Sequence, residues 1–278
     1  MTQFWCNGRW FDSQDFPASP LDRGIILGLG LFETLLGLDG IPVFADRHLA
    51  RLYHACEKLG WTFSFPDFHA TAGELLARNQ LSSGRARIRL AMSAGSGALD
   101  DLTLGTDRLI WMTALRLGAL PESLTAGFSP WPRNEHSALA GLKCASYAEN
   151  AVALDHARRS GFQQSIFLNT AGQLCEAATA NLFLVKNGKL LTPPLRSGCL
   201  PGITRALVIE LAESLQIPCD ERNLFPKDLR QADEIFLTSS IHGVTAISRL
   251  EDRELGTGPL SQLLRGAWGR ATGRDGVC

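Results

Sequence analysis

The stretch SALAGLKCASYAENAVALDHARRSGF, residues 137–162, places one lysine, Lys143, in a run of small and apolar residues. The next acidic residue is Glu149 and the next basic one is Arg158. Burial lowers the pKa of a lysine amine and makes it nucleophilic, which Schiff-base chemistry requires. A lysine at a strand end, whose amine reaches solvent past small neighbours, is the alternative. Apolar residues at helical spacing then predict a helix over 146–160.

Length and composition indicate one large or two medium globular domains. The 278 residues are 45% hydrophobic and 20% charged, which is enough to bury a core. A formal net charge of −1 argues against a nucleic-acid partner. No apolar stretch reaches the roughly 20 residues that span a bilayer, so no membrane partner is expected. Residues 1–13 lack the basic start and apolar centre of a signal peptide.

The seven cysteines indicate a reducing compartment. An odd number without CxxC pairs fits neither a zinc site nor a disulfide framework, so we expect a cytoplasmic protein without a metal. Cys144, next to the lysine, is expected to pack as a small buried thiol rather than to act as a nucleophile. The six histidines lack HxxEH-type spacing, which argues against a metal hydrolase.

The first part of the chain alternates strand-like and helical patterns, which predicts a smaller α+β domain over residues 1–116. Asp39 and Gly40 form the dipeptide typical of a tight hairpin. A helical period that ends at Gly60 follows this hairpin. Strands are predicted at 3–10, 30–45, 85–95 and 108–117, and helices at 46–61 and 66–81.

A linker over 117–122 separates this domain from a larger C-terminal domain, 123–278, which is expected to carry Lys143. Asn187 and Gly188 indicate a second hairpin. Strands are predicted at 164–169, 181–194 and 234–240, helices at 146–160 and 203–216, and a frayed polar tail at 269–278.

Two segments of the second domain suit an anion such as a phosphate. In LPGITR, residues 200–205, a helix starts with unpaired backbone N–H groups at its positive end, beside the Thr204 hydroxyl. An ordinary Thr-capped helix is the alternative. The strand EIFLTSS ends in Thr238, Ser239 and Ser240, whose hydroxyls could bind an anion or cap a turn.

Three charged or titratable residues add to these segments. His48 and Arg51 lie one helical turn apart in HLARL, where the arginine could grip a phosphate at two points or lie in solvent. Glu176, in CEAATANLFLV, precedes small residues and a buried strand. A carboxylate there could stabilise a protonated ring nitrogen of a cofactor, or it could be a surface residue at a strand start.

Together these motifs resemble the class IV pyridoxal-phosphate enzymes, the D-amino-acid and branched-chain aminotransferase family. They follow the family's order and extend from about residue 3 to about residue 250. The resemblance implies a two-domain α+β or α/β fold of the fold type IV class and pyridoxal 5'-phosphate as cofactor. It also implies a small-molecule substrate and a homodimer with active sites near the interface.

The resemblance further implies a role for each matching residue. Lys143 would form the Schiff base with the cofactor and then act as acid and base. Glu176 would pair with the pyridine nitrogen, and Tyr147 would lie near the ring oxygen. The cofactor phosphate would be held by Arg51, the backbone of Ile203 and Thr204, Ser240 and Ser239.

Within this family the chain is similar to the 4-amino-4-deoxychorismate lyases, which release 4-aminobenzoate and pyruvate for folate synthesis. The similarity lies in Asp22–Gly24, Gly30–Thr34 and Arg133–Lys143. Thr34, where branched-chain members tend to have glycine, would shuttle a proton or bind a substrate carboxylate. A β-branched residue that merely suits a strand is the alternative.

An aminotransferase acting on a D- or branched-chain amino acid or another amine is the alternative activity. Leu29 stands where the family has an acidic residue between two glycines, and SGALDD, residues 96–101, replaces a Gly/Arg/Tyr-rich turn. The same turn lacks the Arg-x-His element of D-amino-acid aminotransferases. Arg87 and Arg89 alternate with apolar residues and are expected on a solvated face. The intact lysine and glutamate argue against a cofactor-binding protein without activity.

Overall fold

The computed structural model describes residues 2–12 and 14–273 and folds the chain into two compact units. The first unit comprises Met1–Ala119 and Leu142–Tyr147, and the second comprises Leu120–Gly141 and Ala148–Cys278. Each unit combines one β-sheet with helices, which confirms the mixed α/β fold. In the part of the chain that the structure describes, no helix is long and apolar enough to cross a membrane.

The segment that carries Lys143 packs in the first unit, whereas the sequence placed it in the C-terminal domain. The chain passes into the second unit at Leu120 and returns to the first for Leu142–Tyr147. The return depends on backbone hydrogen bonds to a strand far away in the sequence. Local sequence patterns carry no signal for such a pairing, because they extend over only a few residues.

A six-stranded antiparallel sheet forms the basis of the first unit. Its strands are β1 (Gln3–Cys6), β2 (Arg9–Asp12), β3 (Gly30–Leu38), β4 (Ile41–Pro42), β5 (Arg85–Ser93) and β6 (Ile110–Arg116). They lie in the order β2-β1-β6-β5-β3-β4. The predicted hairpin joins β3 to β4, and Asp39 and Gly40 take the left-handed φ values that it needs, 48° and 83°.

The helices of the first unit are α1 (Arg23–Ile26), α2 (Ala45–Lys58) and α3 (Phe68–Arg78), and the last two confirm the predicted helices. Helices α2 and α3 cover one face of the sheet. Leu31 and Leu35 of β3 share a core with the apolar stripes of α2 and α3. Since strand side chains alternate between faces, Phe32 and Thr34 project from the opposite face of the sheet.

The second unit is built on a nine-stranded mixed sheet. Its strands are β7 (Ser123–Phe128), β8 (Gln164–Leu168), β9 (Leu174–Ala177), β10 (Asn181–Lys186), β11 (Lys189–Thr192), β12 (Cys219–Glu221), β13 (Glu234–Ser239), β14 (Gly243–Leu250) and β15 (Arg253–Glu254). The order is β12-β11-β10-β13-β14-β7-β8-β9, and β15 pairs with β14. Asn187 and Gly188 form the predicted β10–β11 hairpin, with φ values of 50° and 72°.

The helices of the second unit are α4 (Ala148–Arg159), α5 (Ile203–Ser214), α6 (Pro226–Arg230) and α7 (Pro259–Ala271). The first two confirm predicted helices, whereas α6, α7, β7, β9, β12, β14 and β15 were not predicted. The tail expected to fray from residue 269 is helical to Ala271, and residues 274–278 lie outside the described residues. Leu264 and Trp268 of α7 are buried, and α7 packs on β13 and β14, which offsets its unfavourable glycines.

Candidate active site

Lys143 lies beside the sheet of the first unit because its segment extends that sheet. On one edge of β3, β4 covers only the last two residues. Farther along the same strand, the Phe32 N–H donates to the Lys143 carbonyl at 2.9 Å, and the Ala145 N–H donates to the Gly30 carbonyl at 2.8 Å. This pairing fixes the lysine next to Phe32.

The buried Phe32 ring contacts three side chains of the first unit. Lys143 Nζ lies 4.3 Å from the ring centroid, and the Tyr147 ring meets Phe32 edge-on at 5.4 Å. The guanidinium carbon of Arg89 lies 3.9 Å from the same centroid. The lysine is half-buried, with its amine against an aromatic face. The Phe32 ring is therefore contacted by Lys143, the residue predicted to be reactive, and by Tyr147 and Arg89.

Arg89 is half-buried, so its expected position on a solvated face is wrong, whereas Arg87 is exposed as expected. Burial lowers the pKa of Arg89, the charge of Arg87 lowers it further, and Tyr147 opposes them. An arginine remains protonated at neutral pH even so. Strand register pairs Arg89 with Thr34 on β3 and Thr113 on β6, which places a guanidinium between two hydroxyls on one face.

Buried Glu33 connects β3 to α2 through His48 and Arg51. The side chains of Glu33, His48 and Arg51 are 1%, 2% and 11% exposed. Arg51 donates from Nε to Oε1 at 2.8 Å and from Nη2 to Oε2 at 2.6 Å, and His48 Nδ1 contacts Oε2 at 2.7 Å. Arg51 is therefore not a solvated residue, and it binds a carboxylate at two points.

In this cluster, burial and the interaction between Glu33 and its partners act in opposite directions on each of two pKa values, those of Glu33 and His48. Burial raises the pKa of Glu33, but the Arg51 charge and hydrogen bonds from Arg51 and His48 outweigh it and hold this pKa at about 2. Burial lowers the pKa of His48 against the opposing effect of Glu33, and the charges of Arg51 and Lys143 lower it further. At neutral pH Glu33 is anionic, Arg51 is cationic, and His48 is neutral with its proton on Nδ1.

In the second unit, Glu176 is buried on β9, so the alternative of a surface glutamate is wrong. Its Oε2 accepts a hydrogen bond from the Leu200 N–H at 3.0 Å and a longer one from Asn181 Nδ2 at 3.5 Å. The Nη2 atom of Arg133 lies 4.0 Å from Oε1. The carboxylate is thus held in one orientation by a backbone amide, an amide side chain and a cation.

Helix α5 begins directly after Gly202, whose backbone is extended at φ −69° and ψ 136°. Among the described residues no side chain caps this start, so the alternative of a Thr-capped helix is wrong. Thr204 is instead buried in the first turn. The Ile203 and Thr204 amides lie at the positive end of the helix dipole. Gly202 packs so closely on Asn181 that a Cβ would overlap Oδ1 of the asparagine.

Ser239 and Ser240 stand half-buried at the end of β13. The Ser239 hydroxyl accepts a hydrogen bond from the His242 N–H at 3.2 Å, which is the turn-capping alternative. Thr238, one residue earlier, pairs with Asn181 in the β10–β13 register. One asparagine thus links the buried glutamate, the start of α5 and the end of β13.

Sequence reasoning missed Phe32, Glu33, Asn181 and the role of Arg133. Glu33 and Asn181 are polar residues next to apolar runs of their strands, and this is the signal that could have identified them, because burying a polar group requires a partner. Among residues 2–12 and 14–273, no group of three His, Cys, Asp or Glu side chains could hold a metal ion.

A family model described as amino-transferase class IV matches residues 30–250. The chain belongs to the class IV aminotransferase family. Pyridoxal phosphate is the cofactor of this family, and therefore of the chain.

Similar proteins include both lyases and aminotransferases. The chain is 28% identical over 258 residues to an aminodeoxychorismate lyase of Bacillus subtilis, covering 91% of this chain and 88% of the relative. It is 29% identical over 267 residues to a branched-chain-amino-acid aminotransferase of Escherichia coli, covering 91% and 86%. The branched-chain aminotransferase structure from Thermoproteus uzoniensis with norvaline superimposes with a TM-score of 0.88 at 26% identity, covering 99% and 96%. This class IV aminotransferase family member therefore has the family's fold throughout.

Proposed function

We propose that the chain is a lyase that converts 4-amino-4-deoxychorismate to 4-aminobenzoate and pyruvate. The observation that carries this proposal is the placement of Arg89. Its guanidinium and the Lys143 amine contact the same Phe32 ring, and Thr34 is its cross-strand neighbour. A cation and a hydroxyl beside the reactive amine suit a substrate that carries carboxylates as well as an amine. The lyase relative in Bacillus subtilis supports the same assignment.

The residues present fit pyridoxal phosphate. Lys143 is half-buried, Glu176 is a buried carboxylate, and within the described residues no side chain caps the start of α5. Accordingly, Lys143 Nζ would hold the cofactor covalently and Glu176 would hold a proton on its ring nitrogen. The backbone amides of Ile203 and Thr204 would donate to its phosphate.

Four further side chains complete the proposed cofactor site. Arg51 carries a positive charge in an orientation fixed by Glu33, which suits a phosphate dianion. The hydroxyls of Ser239 and Ser240 can donate to phosphate oxygens. Tyr147, edge-on to Phe32, would lie near the ring oxygen of the cofactor.

When bound, the cofactor withdraws electrons from the substrate carbon that bears the amine. Once the substrate amine replaces Lys143 on the cofactor, the freed Lys143 Nζ would take the proton from this carbon, and the bond between the ring and the enolpyruvyl oxygen would break. A proton delivered to the enolpyruvyl methylene carbon completes pyruvate, and the remaining ring is aromatic. The Thr34 hydroxyl is proposed to carry this second proton or to hold the carboxylate of the departing group.

The test is to incubate the purified protein with pyridoxal phosphate and enzymatically generated 4-amino-4-deoxychorismate and to follow both products. We expect equal, catalytic release of 4-aminobenzoate and pyruvate. Lys143→Ala should abolish release and the yellow, dialysis-resistant absorbance of the bound cofactor. Persistence of that absorbance would contradict the role of Lys143, and yellow wild-type protein that releases neither product would contradict the lyase.

A class IV aminotransferase is the second candidate function. The Escherichia coli branched-chain relative supports it, and both reactions need the same cofactor site. A donor screen of D- and branched-chain amino acids would detect it, since a true donor bleaches the yellow protein and yields its keto acid. Bleaching without 4-aminobenzoate release would establish transamination instead of the lyase reaction.

We further propose a cytoplasmic homodimer. Helix α1 and its flanks expose Leu21, Ile25, Ile26 and Leu27, and adjacent exposed apolar side chains are typical of protein interfaces. The six cysteines within the described residues are free thiols, which suits a reducing compartment. Sedimentation should give a species of about twice the 30.2 kDa chain mass, and a single species at the chain mass would contradict the dimer.

A further inference from the structure

Arg133 is held by two elements of the second unit. Its N–H donates to the Leu168 carbonyl at 2.7 Å, at the end of β8, and its guanidinium carbon lies 4.3 Å from the Phe167 ring centroid. On α4, its Nη1 lies 3.0 Å from Glu149 Oε2 and 3.3 Å from Asn150 Oδ1. These contacts fix the guanidinium through both its face and one of its edges.

The other edge of this guanidinium faces Glu176. Nη2 of Arg133 lies 4.0 Å from Oε1, and the two side chains are 17% and 11% exposed. Nη2 donates no hydrogen bond to any described residue, so its interaction with the carboxylate is electrostatic. Asn150, which contacts Nη1, also donates to the Ala178 carbonyl at 2.7 Å, just after β9. Arg133 and the strand of Glu176 are thereby held in one arrangement.

Two thiols also lie near this carboxylate, and a second arginine lies near one of the thiols. Burial and the Glu176 charge raise the pKa of Cys175, and they raise that of Cys199 to about 11, so both thiols are neutral at pH 7. Arg205, whose charge also acts on Cys199, is paired with Glu221 at 2.5 Å. Arg133, by contrast, forms an ion pair with Glu176 itself.

We propose that Arg133 is a positioning residue that keeps Glu176 ionised and aligned toward the cofactor. The inference rests on the proposed pairing of Glu176 with the ring nitrogen of pyridoxal phosphate. A cation close to a carboxylate favours its charged form, so the shared proton stays on the ring nitrogen. Without the cation the proton affinity of Glu176 rises, the proton moves toward the carboxylate, and the cofactor withdraws electrons less strongly.

The test uses pyridoxal phosphate labelled with the heavy nitrogen isotope in its ring, bound to the full-length protein. Nuclear magnetic resonance of this nitrogen reports directly whether it carries the proton. In the wild type we expect the protonated signal, and in Arg133→Gln and Arg133→Met a shift toward the unprotonated signal at the same pH. Arg133→Lys, which restores a cation, should move the signal back. Arg159→Gln removes the exposed partner of Asp155 on α4 and should leave the signal unchanged.

An unshifted signal in either neutral Arg133 variant would overturn the inference while leaving the proposed function intact. A lower melting temperature together with an unshifted signal would likewise assign Arg133 a purely structural role. If Arg133→Gln does not fold, Arg133→Met decides in the same way. Wild-type protein that retains no pyridoxal phosphate would instead refute the proposed function, and this outcome is visible before any variant is compared.

Discussion

Arg51 donates both Nε and Nη2 to the carboxylate of Glu33, at 2.8 and 2.6 Å, within the first unit. The same chemistry recurs at the surface, where Arg78 Nε donates to Glu74 at 2.7 Å and both side chains are exposed. The two pairs differ mainly in burial. Breaking a buried pair leaves an uncompensated charge away from water, whereas an exposed pair exchanges one partner for solvent.

Glu33→Gln should therefore lower the free energy of unfolding by about 3–5 kcal/mol, because the Arg51 charge stays buried without its counter-charge. Glu74→Gln is the matched control, with an expected loss below about 1 kcal/mol. Urea unfolding of both variants measures the difference. Similar small losses in the two would show that the buried pair contributes little to stability.

The stability of the first unit should fall in two steps as the pH decreases. The lowered pKa of His48 gives a stabilisation that is complete above its ordinary value of 6.5 and is lost as the pH falls below it. The Glu33 pKa of about 2, against 4.5 ordinarily, adds a stabilisation present above 4.5 and lost as the pH falls toward 2.

Thermal unfolding between about pH 8 and pH 3 measures both steps. In His48→Asn the amide can donate where Nδ1 did, but it does not titrate, so this variant should lack the upper step. Retention of the upper step in His48→Asn would assign it to a different group. Glu33→Gln lacks the titrating carboxyl, so the loss of stability below pH 4.5 should be smaller in this variant.

Arg89→Met keeps a side chain of similar length and removes the charge. If Arg89 binds a substrate carboxylate, KM for the lyase substrate should rise at least about tenfold, consistent with a charge-assisted hydrogen bond of about 1.5–3 kcal/mol. Arg87→Met, on the same strand but exposed, should change KM by less than about threefold. Equal effects of the two substitutions would point to a general electrostatic field instead of a specific contact.

Thr34→Val removes the hydroxyl and preserves a β-branched strand residue. We expect kcat of the lyase reaction to fall by about two orders of magnitude if the hydroxyl carries a proton, with unchanged cofactor absorbance. Thr34→Ser retains the hydroxyl and should keep most of the activity. A fully active Thr34→Val enzyme would reduce this residue to a structural part of the strand.

Gly202→Ala should weaken cofactor binding at least about tenfold, because the added Cβ would displace the Asn181 amide, which contacts Glu176 and the Leu200 carbonyl. Gly256→Ala is the control, since a Cβ there would meet nothing within 4 Å. Titration of the apoproteins with pyridoxal phosphate, followed by fluorescence, gives both dissociation constants. If Gly202→Ala binds pyridoxal phosphate as tightly as the wild type, the position of the Asn181 amide does not matter for cofactor binding.

The elements that have local causes follow from the amino-acid sequence alone. The Asp39–Gly40 and Asn187–Gly188 pairs fixed two hairpins, since these residues adopt left-handed φ at low cost. The apolar period of HLARLYHACEK fixed α2, and with it the neighbouring positions of His48 and Arg51. The order of the motifs along the chain also indicated the family, because that order is a property of the sequence itself.

Which of these elements come into contact depends on the folded chain as a whole. The return of Lys143 to the first unit depends on backbone pairing with β3, and the orientation of Arg51 depends on Glu33 of the same strand. The burial of Arg89 and the approach of Arg133 to Glu176 likewise depend on contacts between residues far apart in sequence. The local sequence shows that a residue is polar. Its protonation state and its partner depend on which distant residues folding brings into contact with it.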